Sequence, residues 1–108
     1  MERRFFLLQR LSALVLAPLV LVHLMLILYA VRDGLTADEI LGRTQGSVAW
    51  ALFYGLFVVA AAVHAPLGLR NILREWTALG DKAAAGLAAA FALVLLLLGL
   101  RAVVAVVG

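Results

Sequence analysis

Residues 11–31, LSALVLAPLVLVHLMLILYAV, contain no charged side chain. At about 1.5 Å of rise per residue, a helix of that length spans roughly 30 Å, the thickness of a bilayer's hydrocarbon core. Two further uncharged stretches follow, at 48–69 and 83–100. The third reaches full length if its helix runs on toward Val107, with Arg101 extending its side chain to the far interface. In lipid every backbone polar group must be satisfied within its own segment, so these spans are helices rather than open strands. The chain is 67% hydrophobic and 14% charged, against about 25% charged in a soluble domain. The expected architecture is an all-α integral membrane protein, one transmembrane domain over 1–108. Its three transmembrane helices lie at about 11–31, 47–77 and 83–107 and form part of a larger helix bundle.

The basic residues set an expected orientation. Arg3, Arg4 and Arg10 precede the first span, and Arg70, Arg74 and Lys82 follow the second. Arg32 and Arg43 in the first loop are offset by Asp33, Asp38 and Glu39. Positive charge favours the cytoplasmic side, which puts the N-terminus inside and the C-terminus outside. Arg101 runs against that bias. The net charge of +3 is then a topology signal, and no basic soluble face suggests nucleic-acid binding. The start, MERRFFLLQR, has the basic character of a signal peptide. The apolar run behind it is too long for one and ends at no small-residue cleavage site. Without cysteine, the chain has no disulfide, no thiolate metal site and no covalently attached c-type haem.

Smaller signals fill in the connections. Phe5, Phe6, Leu7 and Leu8 read as an interfacial lead-in. Pro18 and Pro66 each remove a backbone hydrogen bond and favour a bend. Thr36-Ala-Asp-Glu39 has the spacing of a capping box, so a short surface helix over 37–41 is expected, and Ser47 or Thr44 is placed to cap the second span. Trp50 and Trp76 sit where interfacial aromatics belong, outer and inner respectively. The third span, rich in Ala and Leu with Gly86 and Gly99, reads as a packing helix.

Two ionisable residues lie deep in the spans, His23 and His64. Polar groups at that depth are expensive and suggest function, although an imidazole can also join helices by hydrogen bonding. Imidazole nitrogen is an axial ligand of haem iron. On the helical wheel Ala60, Gly68, Asn71 and Glu75 share a face with His64. Small residues on either side of the ring suit either a flat macrocycle or close helix packing. Arg70 and Arg74 are candidates to pair with haem propionates, or ordinary interfacial charges. His23 lies about 20 Å beyond Arg10 along its helix, His64 only about 9 Å before Arg70. If the two arginines mark one interface, a single haem is not easily shared by both histidines. Each then meets a histidine from another chain, giving two stacked haems.

HAPLGLRNILREW, residues 64–76, resembles the second-helix motif of the membrane anchor (cytochrome b) subunits of succinate dehydrogenase and fumarate reductase, His-x-x-x-Gly-x-Arg followed by an acidic and often an aromatic residue. QRLSALVLAPLVLVH, residues 9–23, resembles their first helix, which opens on His-Arg-x-Ser-Gly. The likeness covers the first two helices by motif and the third by hydropathy. It implies a subunit of the bacterial inner membrane that binds haem b, one or two, and passes electrons between an iron–sulfur subunit and membrane quinone. Its partners would be that iron–sulfur subunit, a flavoprotein subunit, and a second anchor subunit or another copy of this chain. The resemblance makes His64 and His23 haem ligands and puts Arg10, Ser12 and Trp76 in a quinone site. Gln9 stands where the family often has His, Ala13 where it has Gly, Glu75 where it has Asp, and Trp76 where several members have Tyr. A Trp N–H donates a hydrogen bond but does not act as a phenolic acid.

Other functions are weighed against this one. A haem-free structural anchor would use the histidines only for helix contacts. A cytochrome b subunit of another respiratory dehydrogenase usually has more helices and histidines. A small efflux transporter needs a carboxylate within a span, and every Asp and Glu here lies outside the three uncharged stretches. Dicarboxylate chemistry has no catalytic constellation on this chain.

Overall fold

The computed structural model describes residues 3–108, and all the regular structure among them is helical. The single domain expected over 1–108 therefore includes two residues, 1 and 2, outside the described ones. Four helices follow in order: α1 (Arg3–Asp33), α2 (Ala37–Thr44), α3 (Val48–Trp76) and α4 (Asp81–Val107). α1, α3 and α4 are each long and apolar enough to cross a membrane. α1 starts well before the first uncharged residue of its span, so the expected lead-in is a continuous part of the helix. Pro18 and Pro66 both lie inside unbroken helices.

α3 is the centre of the arrangement, packed against α1 on one side and α4 on the other. Both neighbours run antiparallel to it. Phe5 of α1 meets Arg70, and Ser12 meets His64. His23 meets Tyr54 and Phe57 nearer the other end. α4 carries a ladder of small residues at the spacing of one helix face. Ala84 and Ala88 are buried, and farther along Gly99 comes against Val58. A β-carbon added to Gly99 would sit 2.5 Å from a Val58 methyl carbon, so only hydrogen fits there. Lipid tails are as apolar as leucine, so such close backbone approach, rather than water exclusion, is what favours helix pairing in a membrane.

The α1–α3 connection closes over the end of α4. Thr36 forms the capping box: its hydroxyl accepts from the Glu39 amide, and the Glu39 carboxylate accepts from the Thr36 amide. The short helix it starts runs to Thr44, longer than expected, and it contacts α4. Ser47, not Thr44, caps α3, with its hydroxyl accepting from the Trp50 amide at 3.2 Å. Thr44 is used instead to donate to the Val106 carbonyl at 2.6 Å, while the Gly46 amide donates to Val107 at 2.9 Å and the Gln45 side chain to Gly108 at 3.1 Å. These bonds satisfy carbonyls that the last turn of a helix leaves without partners. Gly46 makes the approach with φ +74°, a left-handed conformation that glycine adopts without strain. Arg43 ties the other end of the loop, reaching Asp33 at 2.6 Å and the Gly34 carbonyl at 2.9 Å.

Gly99→Ala is expected to destabilise the α3–α4 pair by about 1–3 kcal/mol, as overpacking does. Thermal unfolding of the purified complex should show a lowered midpoint, and adding Val58→Ala should recover much of the loss. An unchanged midpoint for the single variant would contradict the close approach.

Candidate haem and quinone residues

One side of α1 faces α3 and carries Gln9 and Ser12. Phe5, Gln9 and Ser12 recur at helical spacing, and they meet Arg70, Gly68 and His64 in the reverse order required by antiparallel packing. Ser12 is buried, one of very few buried polar residues described. Its hydroxyl donates to the Gln9 carbonyl one turn back at 3.0 Å and lies 3.3 Å from Nδ1 of His64. Nε2 of His64 makes no hydrogen bond with any described residue. The small face expected around His64 is accounted for in part: Ala60 is buried, and Gly68 faces the Gln9 side chain, whose amide nitrogen would lie 3.4 Å from an added β-carbon.

His23 stands at a different level. Ser12 marks the height of His64 on α1, and His23 is roughly 16 Å farther along that helix. Its ring packs edge-on to Phe57, centroids 5.3 Å apart, and to Tyr54 at 6.4 Å. Trp50, Phe53, Tyr54 and Phe57 form one aromatic cluster beneath it, with Trp50 and Tyr54 stacked. Two grooves open beside the imidazole. One, of about 330 Å³, runs between α3 and α4 past Val58 and Gly99. The other, of about 280 Å³, runs under the connection past Tyr29, Ile40 and Arg43.

The two arginines expected near a propionate have different surroundings. Arg74 is engaged by Asp81 across the α3–α4 turn, Nε to carboxylate 2.7 Å. The Arg70 guanidinium lies over the Phe5 ring, 4.8 Å from its centroid, and its Nη1 is buried without a hydrogen-bond partner among the described residues. Oε1 of Gln9 is in the same condition. Arg70 also borders a groove of about 290 Å³ floored by Ala62, Pro66, Ala85 and Ala88.

The residues expected at a quinone site do not form a cluster on this chain. Ser12 is level with His64, while Trp76, 81% exposed, ends α3 roughly 18 Å farther along. Arg10 is exposed, its guanidinium 5.7 Å from the Phe6 ring centroid. Sequence reasoning missed the aromatic cluster, whose i, i+3, i+4, i+7 spacing was there to be read, and the contact of Ser12 with His64, which depends on helix register.

The sequence model of the succinate dehydrogenase/fumarate reductase transmembrane subunit family matches residues 4–100. The chain belongs to this family. No curated protein and no solved structure matches it. As a succinate dehydrogenase/fumarate reductase transmembrane subunit it is a multi-pass membrane protein and part of a complex with other subunits. The matched stretch holds both histidines, Ser12 and Arg70.

The two arginines should separate experimentally. The Arg74–Asp81 pair involves a carboxylate 74% exposed, and exposed pairs contribute about 0–1 kcal/mol. Arg74→Ala should therefore leave the thermal midpoint of the complex nearly unchanged. Arg70→Ala, which removes a side chain packed on Phe5, should lower it. The reverse order would contradict the placement.

Proposed function

We propose that this chain is the haem b-binding membrane anchor of a succinate:quinone oxidoreductase, carrying electrons between the iron–sulfur subunit and membrane quinone. The observation that carries the reading is the condition of the two imidazoles. One nitrogen of His64 is held by Ser12, and the other has no partner among the described residues. Among the described residues His23 has aromatic ring contacts, with two open grooves beside it, and no hydrogen bond. An unsatisfied polar group in an apolar medium costs roughly 2–7 kcal/mol. Each ring therefore calls for a partner beyond the described residues, and an iron bound at one nitrogen of each supplies it with the chemistry imidazole performs well.

The residues present fit the group. His64 and His23 would hold haem iron, and the orphaned guanidinium nitrogen of Arg70 would meet a propionate, with Arg74 less suited because Asp81 already occupies it. The bound haem would supply one-electron transfer. The chain's own work is to hold the rings at fixed heights, to keep water from them with α1, α4 and the aromatic cluster, and to dock the soluble subunits. The levels of the histidines, roughly 16 Å apart, favour two haems, each completed by a histidine from a second anchor subunit or another copy of this chain. Arg3, Arg4, Arg10, Arg70, Arg74 and Lys82 all gather at one end of the helices, which supports an N-terminus in the cytoplasm and a C-terminus outside, in a bacterial inner membrane. Quinone would bind at that basic end, where Arg10 and Trp76 are the exposed donors of the expected set. Trp76 would serve there mainly as an interfacial anchor. The iron–sulfur and flavoprotein subunits would dock at the same end.

A dithionite-reduced minus oxidised optical spectrum of the purified complex tests this. A b-type signal is expected, falling by about half in His64→Ala and by about half in His23→Ala, because each histidine serves one haem. A spectrum without haem, or one indifferent to both substitutions, would leave a haem-free structural anchor.

A further inference from the structure

Ser12 stands out because its hydroxyl lies between a backbone carbonyl and an imidazole. A serine hydroxyl has one O–H donor and two acceptor lone pairs. The Gln9 carbonyl, which can only accept, is the nearer of the two at 3.0 Å and takes that donor. The contact at 3.3 Å with Nδ1 of His64 is then a hydrogen bond only if the ring is the donor. We propose that Ser12 is a positioning residue that fixes His64 in its Nδ1–H tautomer and so presents Nε2 as the free lone pair. This rests on the reading of His64 as a haem ligand and goes beyond it. It names the residue that selects which nitrogen is available.

The physical basis is the difference between the two ring nitrogens. Which one binds a metal is set by the hydrogen bond the other makes. A neutral imidazole with Nδ1–H points its lone pair from Nε2, on the far side of the ring from Ser12. The Nε2–H tautomer would offer Nδ1, which here faces a hydroxyl whose proton is spent elsewhere, so two acceptors would confront each other in a buried site. The cost of that arrangement is the cost of an unmade buried hydrogen bond, which favours the first tautomer. Ser12 is 7% exposed, so water does not readily take its place. The Gln9 carbonyl is the anchor of the relay: it orients the hydroxyl, and the hydroxyl orients the ring. The same argument removes Ser12 as a hydrogen-bond donor to a quinone carbonyl, because the hydroxyl has no second proton to give.

The helix supplies the geometry cheaply. A serine that bonds back to a carbonyl in the preceding turn holds its rotamer without a tertiary partner. The ring of His64 therefore meets a preset acceptor rather than a rotating one. Outer groups of this kind raise the basicity of a ligating imidazole, and their removal typically costs about 10–100-fold in metal affinity.

Two measurements test the pair. The first is haem-independent: solid-state ¹⁵N NMR of the full chain in lipid bilayers, labelled at histidine, with His23→Gln leaving one imidazole. Protonated Nδ1 and unprotonated Nε2 are expected, and Ser12→Ala should shift the ring toward Nε2–H. The second uses the purified complex. Ser12→Ala should lower haem retention at the His64 site about tenfold. It should also raise the midpoint potential of that haem, since a less basic imidazole stabilises ferric iron less. Ser12→Thr, which keeps the hydroxyl, should restore both. An Nε2–H signal in the unsubstituted ring, or a retention and potential that Ser12→Ala leaves unchanged, would overturn the proposal. A complex with no haem at all would overturn the haem reading instead, and the NMR result would then still report separately whether Ser12 sets the tautomer.

Discussion

An imidazole inside a membrane-spanning helix has two nitrogens to satisfy, and α3 provides for neither. That constraint organises the rest of the molecule. For His64 one nitrogen is met by Ser12, which requires α1 to lie antiparallel along α3 in a single register. The same register brings Gln9 to Gly68 and Phe5 to Arg70. The other nitrogen has no partner among the described residues. A sliding of α1 by one turn, about 5.4 Å, would break all three meetings together. The polar side of α1 thus works as a ruler for the ring.

α4 answers a different need. It brings no ionisable side chain to the histidines, and its contribution is closeness. Ala84, Ala88 and Gly99 let it lie against α3, and the bonds from Thr44, Gln45 and Gly46 hold its last turn in place. With α3 fixed between two neighbours, the rings of His23 and His64 are set by rigid helices rather than by loops. Much of the outer surface stays apolar, including Leu14, Leu21 and Met25 on α1 and Leu93 and Leu97 on α4. That is the surface a lipid-facing or partner-facing subunit presents.

The three spans were legible in the sequence because uncharged length is a local property, and so was the capping box, whose partners are three residues apart. α1 starts earlier than its uncharged stretch does. Span recognition counts apolar residues, whereas the helix continues through Arg4 and Arg10, where packing of Phe5 and Gln9 sustains it. The choice between Ser47 and Thr44 as the cap of α3 was open in the sequence, since Thr44 is drawn away by the end of α4. The partner of Arg74 was missed because Asp81 lies across a turn. Ser12 was singled out by family likeness for quinone, yet its neighbour is a histidine far along the chain. No periodicity reveals such a contact, because it depends on how two helices slide past one another. Both histidines are recognisable as unusual from depth alone, but that Ser12 meets Nδ1 of His64 is information only the folded chain carries.

The central claim, that an iron binds Nε2 of His64 while Ser12 keeps Nδ1, is tested most directly by an experimental density map of the intact complex. The account predicts a macrocycle between this chain and a neighbouring one, with its iron at Nε2 of His64 and the Ser12 hydroxyl still on Nδ1. Continuous side-chain packing against His64 from a neighbouring helix, with no metal density at either nitrogen, would contradict it.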